Sequence, residues 1–319
     1  MFYSLFFSTL PLFGLVLIGF VSGKFNLLNE SDSKVFLKLI GLVIVPALGI
    51  KIIGNFKYEF VNWDLYFYYL LTQSTIYILG FSIAKSIFNR NFSESIIIGM
   101  TSSFSNHLFF VYPIALFEFG PKDIVPIETI ISADFITVGL SIFALELAKY
   151  KKVNFTEIFV SQLKNPALIG LFLGLTILFF QIDIPLSVER LVFFICDAGT
   201  PCALIAMGVL LSYKTDTTQI KLSIIITLLK VFIFPFTLLI ILHLMDYDLY
   251  ISRTTMMVAA APIGAMGLVF ASIYKVNTDA VVRSGIISYI LALISIPFFG
   301  DITSLTGESF KIFFFTRNR

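Results

Sequence analysis

One polar run interrupts an apolar segment of membrane-spanning length: Thr101, Ser102, Ser103, Ser105, Asn106 and His107, with Pro113 following. A second interruption lies far along the chain, where Pro262, Gly264 and Gly267 break up a run of small residues. Proline removes one helical hydrogen bond and clashes with the preceding turn, so both segments are expected to break near the bilayer midplane. Unwound backbone at that depth is tolerated where it lines a cavity, and a helix N-terminus there turns its positive end toward a ligand. An anion is the natural occupant, held by amide, hydroxyl and imidazole groups. The expected substrate site therefore comprises Ser105, Asn106, His107, Tyr112, Pro113, Pro262, Gly264 and Gly267. The competing reading is that proline and glycine kink two packed helices, that the serines cap neighbouring carbonyls, and that His107 is a packing donor.

An ionisable group at mid-depth costs about 2.5–3.5 kcal/mol on insertion scales, so each one needs a reason. Asp134 and Asp197 fall deep in apolar segments and are candidate coupling groups. Lys51 and Lys230 are available as partners, although Lys51 could equally snorkel to the interface. His243, Arg253, Glu94, Glu118 and Glu128 fall near segment ends and are expected to be solvated. No catalytic residue is assigned. The chain lacks a Gly-x-Ser-x-Gly elbow, a His-Glu-x-x-His metal helix and a phosphate-cradling loop. Its two histidines, 136 positions apart, make a poor metal set. No cofactor is expected; coupling to protons, sodium or the membrane potential stays open.

These groups must be positioned by membrane-spanning helices. The 319 residues are 58% apolar and 13% charged, with mean hydropathy +0.95, against about 25% charged for a soluble domain. A net charge of +2 provides no field for nucleic acid. Cys196 and Cys202 stand six apart, roughly 9 Å along a helix, too far for a disulfide. Segments of about 20 apolar residues run approximately over 2–22, 34–56, 63–88, 93–119, 127–149, 164–182, 190–212, 219–244, 250–274 and 279–300. The fold class expected is all-α, with ten transmembrane helices. Trp63, Tyr58, Tyr66, Tyr68 and Tyr69 mark an interface. The first span lacks a signal-peptide pattern and is expected to be retained. Joints after odd-numbered spans carry most of the basic residues, among them Lys34, Lys38, Lys85, Arg90, Lys151 and Lys152. The positive-inside rule then puts both termini outside, with Lys311, Arg317 and Arg319 speaking weakly against it.

A shift of 155 positions lays Pro11 on Pro166, Gly19 on Gly174 and Pro46 on Pro201. Two five-helix halves follow, residues 1–150 and 164–300, joined by a cytoplasmic linker over 151–163 and ending in a short tail over 301–319. Five is odd, so the halves are inverted, the usual basis of alternating access. Helices four and nine, one per half, are the broken ones.

Asn106 with Pro113, Ala115-Leu116-Phe117 and Gly120 resembles the crossover motif of the auxin efflux carrier family. Asn165-Pro166, Gly170, Gly174, Pro185 and the run Asp197-Ala198-Gly199-Thr200-Pro201 to Gly208 resemble its sixth and seventh spans. Ala261-Pro262, Val269 to Tyr274 and Pro297 resemble its ninth and tenth. The resemblance implies ten helices in two inverted repeats, related to the bile acid transporter fold, and an organic-anion site in which Asn106 is a substrate ligand. The chain departs from the family pattern at Leu108, Val111 and Met266, and it shows no acid–base pair around Tyr69 and Gln73. The function expected is secondary active transport of a small carboxylate across the plasma (inner) membrane. The alternatives are an intramembrane enzyme, a channel, or a sodium-coupled symporter of the bile-acid type. The expected partners are the organic anion, membrane lipid and, in a homodimer, a second copy.

Overall fold

The computed structural model describes residues 1–54, 61–149, 166–213, 219–264, 266–277 and 279–303. The expected linker over 151–163, most of the tail, and Lys57, Tyr58, Lys151, Lys152, Lys164, Asn165 and Lys214 lie outside the described residues. Among those described, every regular element is helical. In order they are α1 (Phe2–Lys24), α2 (Glu30–Leu39), α3 (Val45–Gly54), α4 (Trp63–Ser86), α5 (Phe92–Ser103), α6 (Tyr112–Phe119), α7 (Val125–Lys149) and α8 (Pro166–Phe180). There follow α9 (Leu186–Asp197), α10 (Gly199–Ser212), α11 (Ile220–Leu228), α12 (Phe234–Leu244), α13 (Arg253–Ala259), α14 (Met266–Ile273) and α15 (Asp279–Ile302). Among the described residues, five stretches are long and apolar enough to cross a membrane: Phe2–Lys24, Glu30–Gly54, Leu186–Ser212, Ile220–Leu244 and Asp279–Ile302. Their outward faces carry large apolar side chains such as Tyr3, Phe7, Leu17 and Phe194. That surface is suited to lipid and too apolar for water.

Asparagines start three of the helices. Asn29 accepts from the backbone of Ser31 and Asp32, Asn62 from Leu65, and Asn91 from Glu94, each satisfying amides that a helix start leaves bare. Wide π-turns over Ile40–Ile44, His107–Val111 and Leu229–Ile233 lead directly into α3, α6 and α12. In each case the second residue of the following helix is a proline: Pro46, Pro113 or Pro235. The extra residue of a π-turn relieves the clash of the proline ring with the preceding carbonyl. Pro113 therefore does not break its helix. The break comes earlier, at Phe104–Asn106, whereas Pro262 sits inside the second break, between α13 and α14.

Glycines set the closest helix contacts. A side chain at Gly19 would collide with the backbone of Ile205 on α10, and one at Gly174 would meet Gly49 and Ile53 on α3. Small residues let helix backbones approach where no hydrophobic effect drives them together. α1 is thereby seated on α10, and α8 on α3. Cys196 and Cys202 are unpaired, one buried and one half-buried.

Candidate functional site

The two chain breaks meet. The backbone N–H of Asn106 donates to the Pro262 carbonyl at 2.8 Å, and the Gly264 N–H donates to the Phe104 carbonyl at 3.1 Å. Ser105 and Ile263 thus form a one-rung antiparallel bridge in the middle of a helical protein. The bridge satisfies groups that each broken helix leaves bare, which is what a buried backbone requires. Side chains complete the joint. Ser105 Oγ donates to the Val258 carbonyl at 2.7 Å, Ser295 Oγ to the Ala260 carbonyl at 2.8 Å, and Ser288 Oγ accepts from the Ile263 N–H at 3.1 Å. Gly264 is required at the crossing, since a side chain there would press on the Ser105 carbonyl.

Around the joint stand polar groups drawn from several helices. Asn106 Nδ2 donates to the Tyr289 hydroxyl of α15, and both residues are buried. Asp134 of α7 accepts from Gln73 Nε2 of α4 at 2.7 Å, and its other oxygen lies 3.1 Å from His107 Nε2. That second oxygen and Gln73 Oε1 receive no hydrogen bond among the described residues. Lys230, fully buried, donates to the Ala259 carbonyl at 2.6 Å and lies over the face of Phe234.

Ser105, Asn106, His107, Asp134 and Gly264 line a cavity of about 80 Å³, closed by Ile40, Val45, Phe104, Phe109, Ile131 and Val138. That is room for roughly two or three waters, or for one carboxylate group. Gly41, Met266 and Val269 belong both to this cavity and to a larger cleft of about 590 Å³, whose rim carries Glu30, Lys34 and Lys38.

Other expected site residues stand elsewhere. Tyr112 turns its hydroxyl to Glu128 at 3.3 Å, and Gly267 packs on Thr101. Pro113 and Pro262 shape the backbone and do not line the cavity. Thr101, Ser102 and Ser103 donate to the carbonyls of Ile97, Ile98 and Gly99, as hydroxyls in a helix do, so they act as caps and not as ligands. Lys51 lies over the Phe193 ring at 4.3 Å, away from the cavity. Asp197 is exposed at the C-terminal end of α9, within the membrane-length stretch Leu186–Ser212. Arg253, expected to be solvated, is corrected. It is buried, 2.6 Å from Asp123, with its guanidinium over Phe119 and Tyr250. Two aromatic faces and a carboxylate take the place of water around its charge. Gln73 and Tyr289 belong to the site and were not singled out by sequence. Both sit at helix positions where a polar group faces a bundle interior, a signal that is visible only once the packing is known.

Among the described residues no three His, Cys, Asp or Glu side chains gather as a metal set. Buried hydrogen-bonding groups around a small cavity at the meeting of two broken helices can bind and release a small polar solute. The comparisons agree with that chemistry. The family model described as "Membrane transport protein" matches residues 4–300. A protein of Rhizobium meliloti (strain 1021) named "Putative malonate transporter" is 24% identical over 64% of this chain and 66% of its own length. An "Uncharacterized transporter" of Methanocaldococcus jannaschii is 22% identical over 90% of this chain and 94% of its own. Both relatives are named as transporters, and this chain is an integral membrane protein belonging to the membrane transport protein family, that of the auxin efflux carriers.

Proposed function

We propose that the protein is a secondary carrier that moves a small organic anion, a carboxylate, across the plasma membrane by alternating access. The observation that carries this reading is the bridge between the two broken helices beside a small cavity lined by Ser105, Asn106 and His107. The helical stretch over His107–Phe119 and helix α14 both begin at the cavity. Their free N–H groups and dipoles favour an anion there. A malonate transporter name on a relative makes malonate the first substrate to try. The larger cleft beyond Gly41 and Met266 is the proposed access path, with Lys38 at its mouth to attract anions and Lys34 paired with Glu30 at 2.8 Å.

Ten crossings in two inverted repeats complete the proposal. Supporting it, α1 packs on α10 as α8 packs on α3, and Gly19 and Gly174, 155 apart, make the equivalent contacts. Asp134 and Tyr289 are also 155 apart, and each partners the first crossover. Coupling is assigned to a proton on Asp134, whose second oxygen, at the cavity, receives no hydrogen bond and lies 3.1 Å from His107 Nε2. Both termini are proposed to lie outside, and a homodimer is the proposed assembly.

Purified protein in liposomes is expected to take up labelled malonate or a related carboxylate saturably and to exchange it for internal substrate. Ohmic single-channel current without exchange would overturn the carrier reading. For the topology, Phe25→Cys and Asp183→Cys, each with Cys196 and Cys202 replaced by serine, are expected to react with an impermeant thiol reagent from opposite sides. Labelling from one side would remove the inversion.

A further inference from the structure

Lys230 is fully buried and unused by the site as described so far. It projects from the π-turn Leu229–Ile233, and its Nζ reaches the carbonyl of Ala259, the last residue of α13. A helix C-terminus presents unsatisfied carbonyls with partial negative charge. Here three of them, at Val258, Ala259 and Ala260, are taken in turn by Ser105, Lys230 and Ser295. The carboxylate of Asp134 lies within electrostatic reach of the Lys230 amine, as does His107. Tyr69 of α4 packs against Phe234, the ring beneath the amine. Carbonyls at the end of a half-helix together with a carboxylate form the ligand set with which broken-helix carriers hold a coupling sodium ion. In this chain the carbonyl end of such a set, at Ala259, is met by an amine on a side chain.

We propose that the Lys230 ammonium is a tethered cation. It takes at the crossover the position that a sodium ion would otherwise fill, so that the carrier runs without sodium. The inference rests on the transport reading for its consequence, but not for its geometry. The ammonium neutralises the carbonyl end of α13 and places positive charge beside the crossover. Because it is covalently held by the α11–α12 segment, it cannot be released on either side of the membrane, as a coupling ion must be.

The test compares wild type, Lys230→Ala and Lys230→Arg in sodium, choline and methylammonium chloride at equal ionic strength. It reads malonate uptake in liposomes and thermal melting in detergent. Wild type is expected to melt and transport alike in sodium and choline. Lys230→Ala is expected to melt lower in choline and to lose roughly tenfold or more of its uptake, as on loss of a charged hydrogen bond. Sodium or methylammonium should restore both. Three results would each overturn the proposal: sodium-stimulated uptake by wild type, a Lys230→Ala protein indistinguishable from wild type in choline, or a folded Lys230→Ala protein that no cation restores. If Lys230→Ala does not fold, wild type and Lys230→Arg decide. Indifference of both to sodium supports the tethered cation, and sodium dependence of either refutes it. Melting needs no substrate. Cation rescue of the melt in a protein that moves no carboxylate would therefore sink the transport reading and leave the role of Lys230 standing.

Discussion

Replacing Asn106 with alanine tests the site, provided that its structural and ligand-binding roles are separated. The amide is buried and donates to the Tyr289 hydroxyl, which is itself 1% exposed. Removing it strands that hydroxyl, at a cost of about 1–3 kcal/mol. Tyr289→Phe breaks the same bond from the other end and strands the amide, at a similar cost. The backbone pairing of Asn106 with Pro262 survives both changes, since it needs no side chain. Both variants should therefore melt lower by comparable amounts, and the double variant should cost less than the sum, with a coupling of about 0.5–3 kcal/mol. Transport should divide them. A hydrogen bond from Asn106 to a bound carboxylate is charge-assisted and contributes about 1.5–3 kcal/mol, so Asn106→Ala should raise the apparent KM by about 10- to 100-fold. Tyr289→Phe leaves that amide in place and should raise KM only slightly. The assay is initial uptake of labelled malonate against concentration in liposomes, with melting in detergent measured on the same preparations. Equal KM increases in the two variants would refute the reasoning and make Asn106 a tie between α15 and the crossover.

The remaining predictions address packing, coupling and the outer ion pair. Gly170→Ala should destabilise by about 1–3 kcal/mol, because its methyl would be driven into the Pro46 backbone. Gly14→Ala, with open space around it, should leave the melting temperature unchanged or raise it; equal effects would discount the glycine contacts. Asp134→Asn should retain malonate exchange but lose any acceleration by a pH gradient, and an unaltered gradient response would assign coupling elsewhere. Arg253→Lys should lower the melting temperature almost as much as Arg253→Ala. Lysine keeps the charge but not the flat guanidinium that faces Phe119, Tyr250 and Asp123 together; full rescue by lysine would reduce the contact to simple charge.

Membrane character and the two chain breaks were legible because they rest on local composition. Long apolar runs need no knowledge of neighbours, and Pro262 with Gly264 announces a break directly. Asn106, Ser105 and His107 stood out as polar groups in an apolar segment, and Asp134 by its charge. Other features depend on contacts between distant segments. Tyr289 and Gln73 look like ordinary helix residues until α15 and α4 are seen against α5 and α7. Lys230 carried no hint that it would reach a carbonyl 29 positions away. Thr101 to Ser103 left both readings open, since hydroxyls facing their own helix carry the same letters as hydroxyls facing a ligand. Arg253 left its expected environment for a similar reason, having found aromatic faces from α6 and the α12–α13 joint.

The π-turns ahead of Pro46, Pro113 and Pro235 bear on how any chain of this kind is interpreted. Each inserts one residue without adding a full step of rise, so the helix beyond it is rotated by about 100° relative to the helix before it. A helical wheel drawn straight through such a proline turns every later side chain by about a quarter-turn from its true direction. The wheel has to be restarted at each of these prolines, and the same correction applies to any relative that keeps the proline.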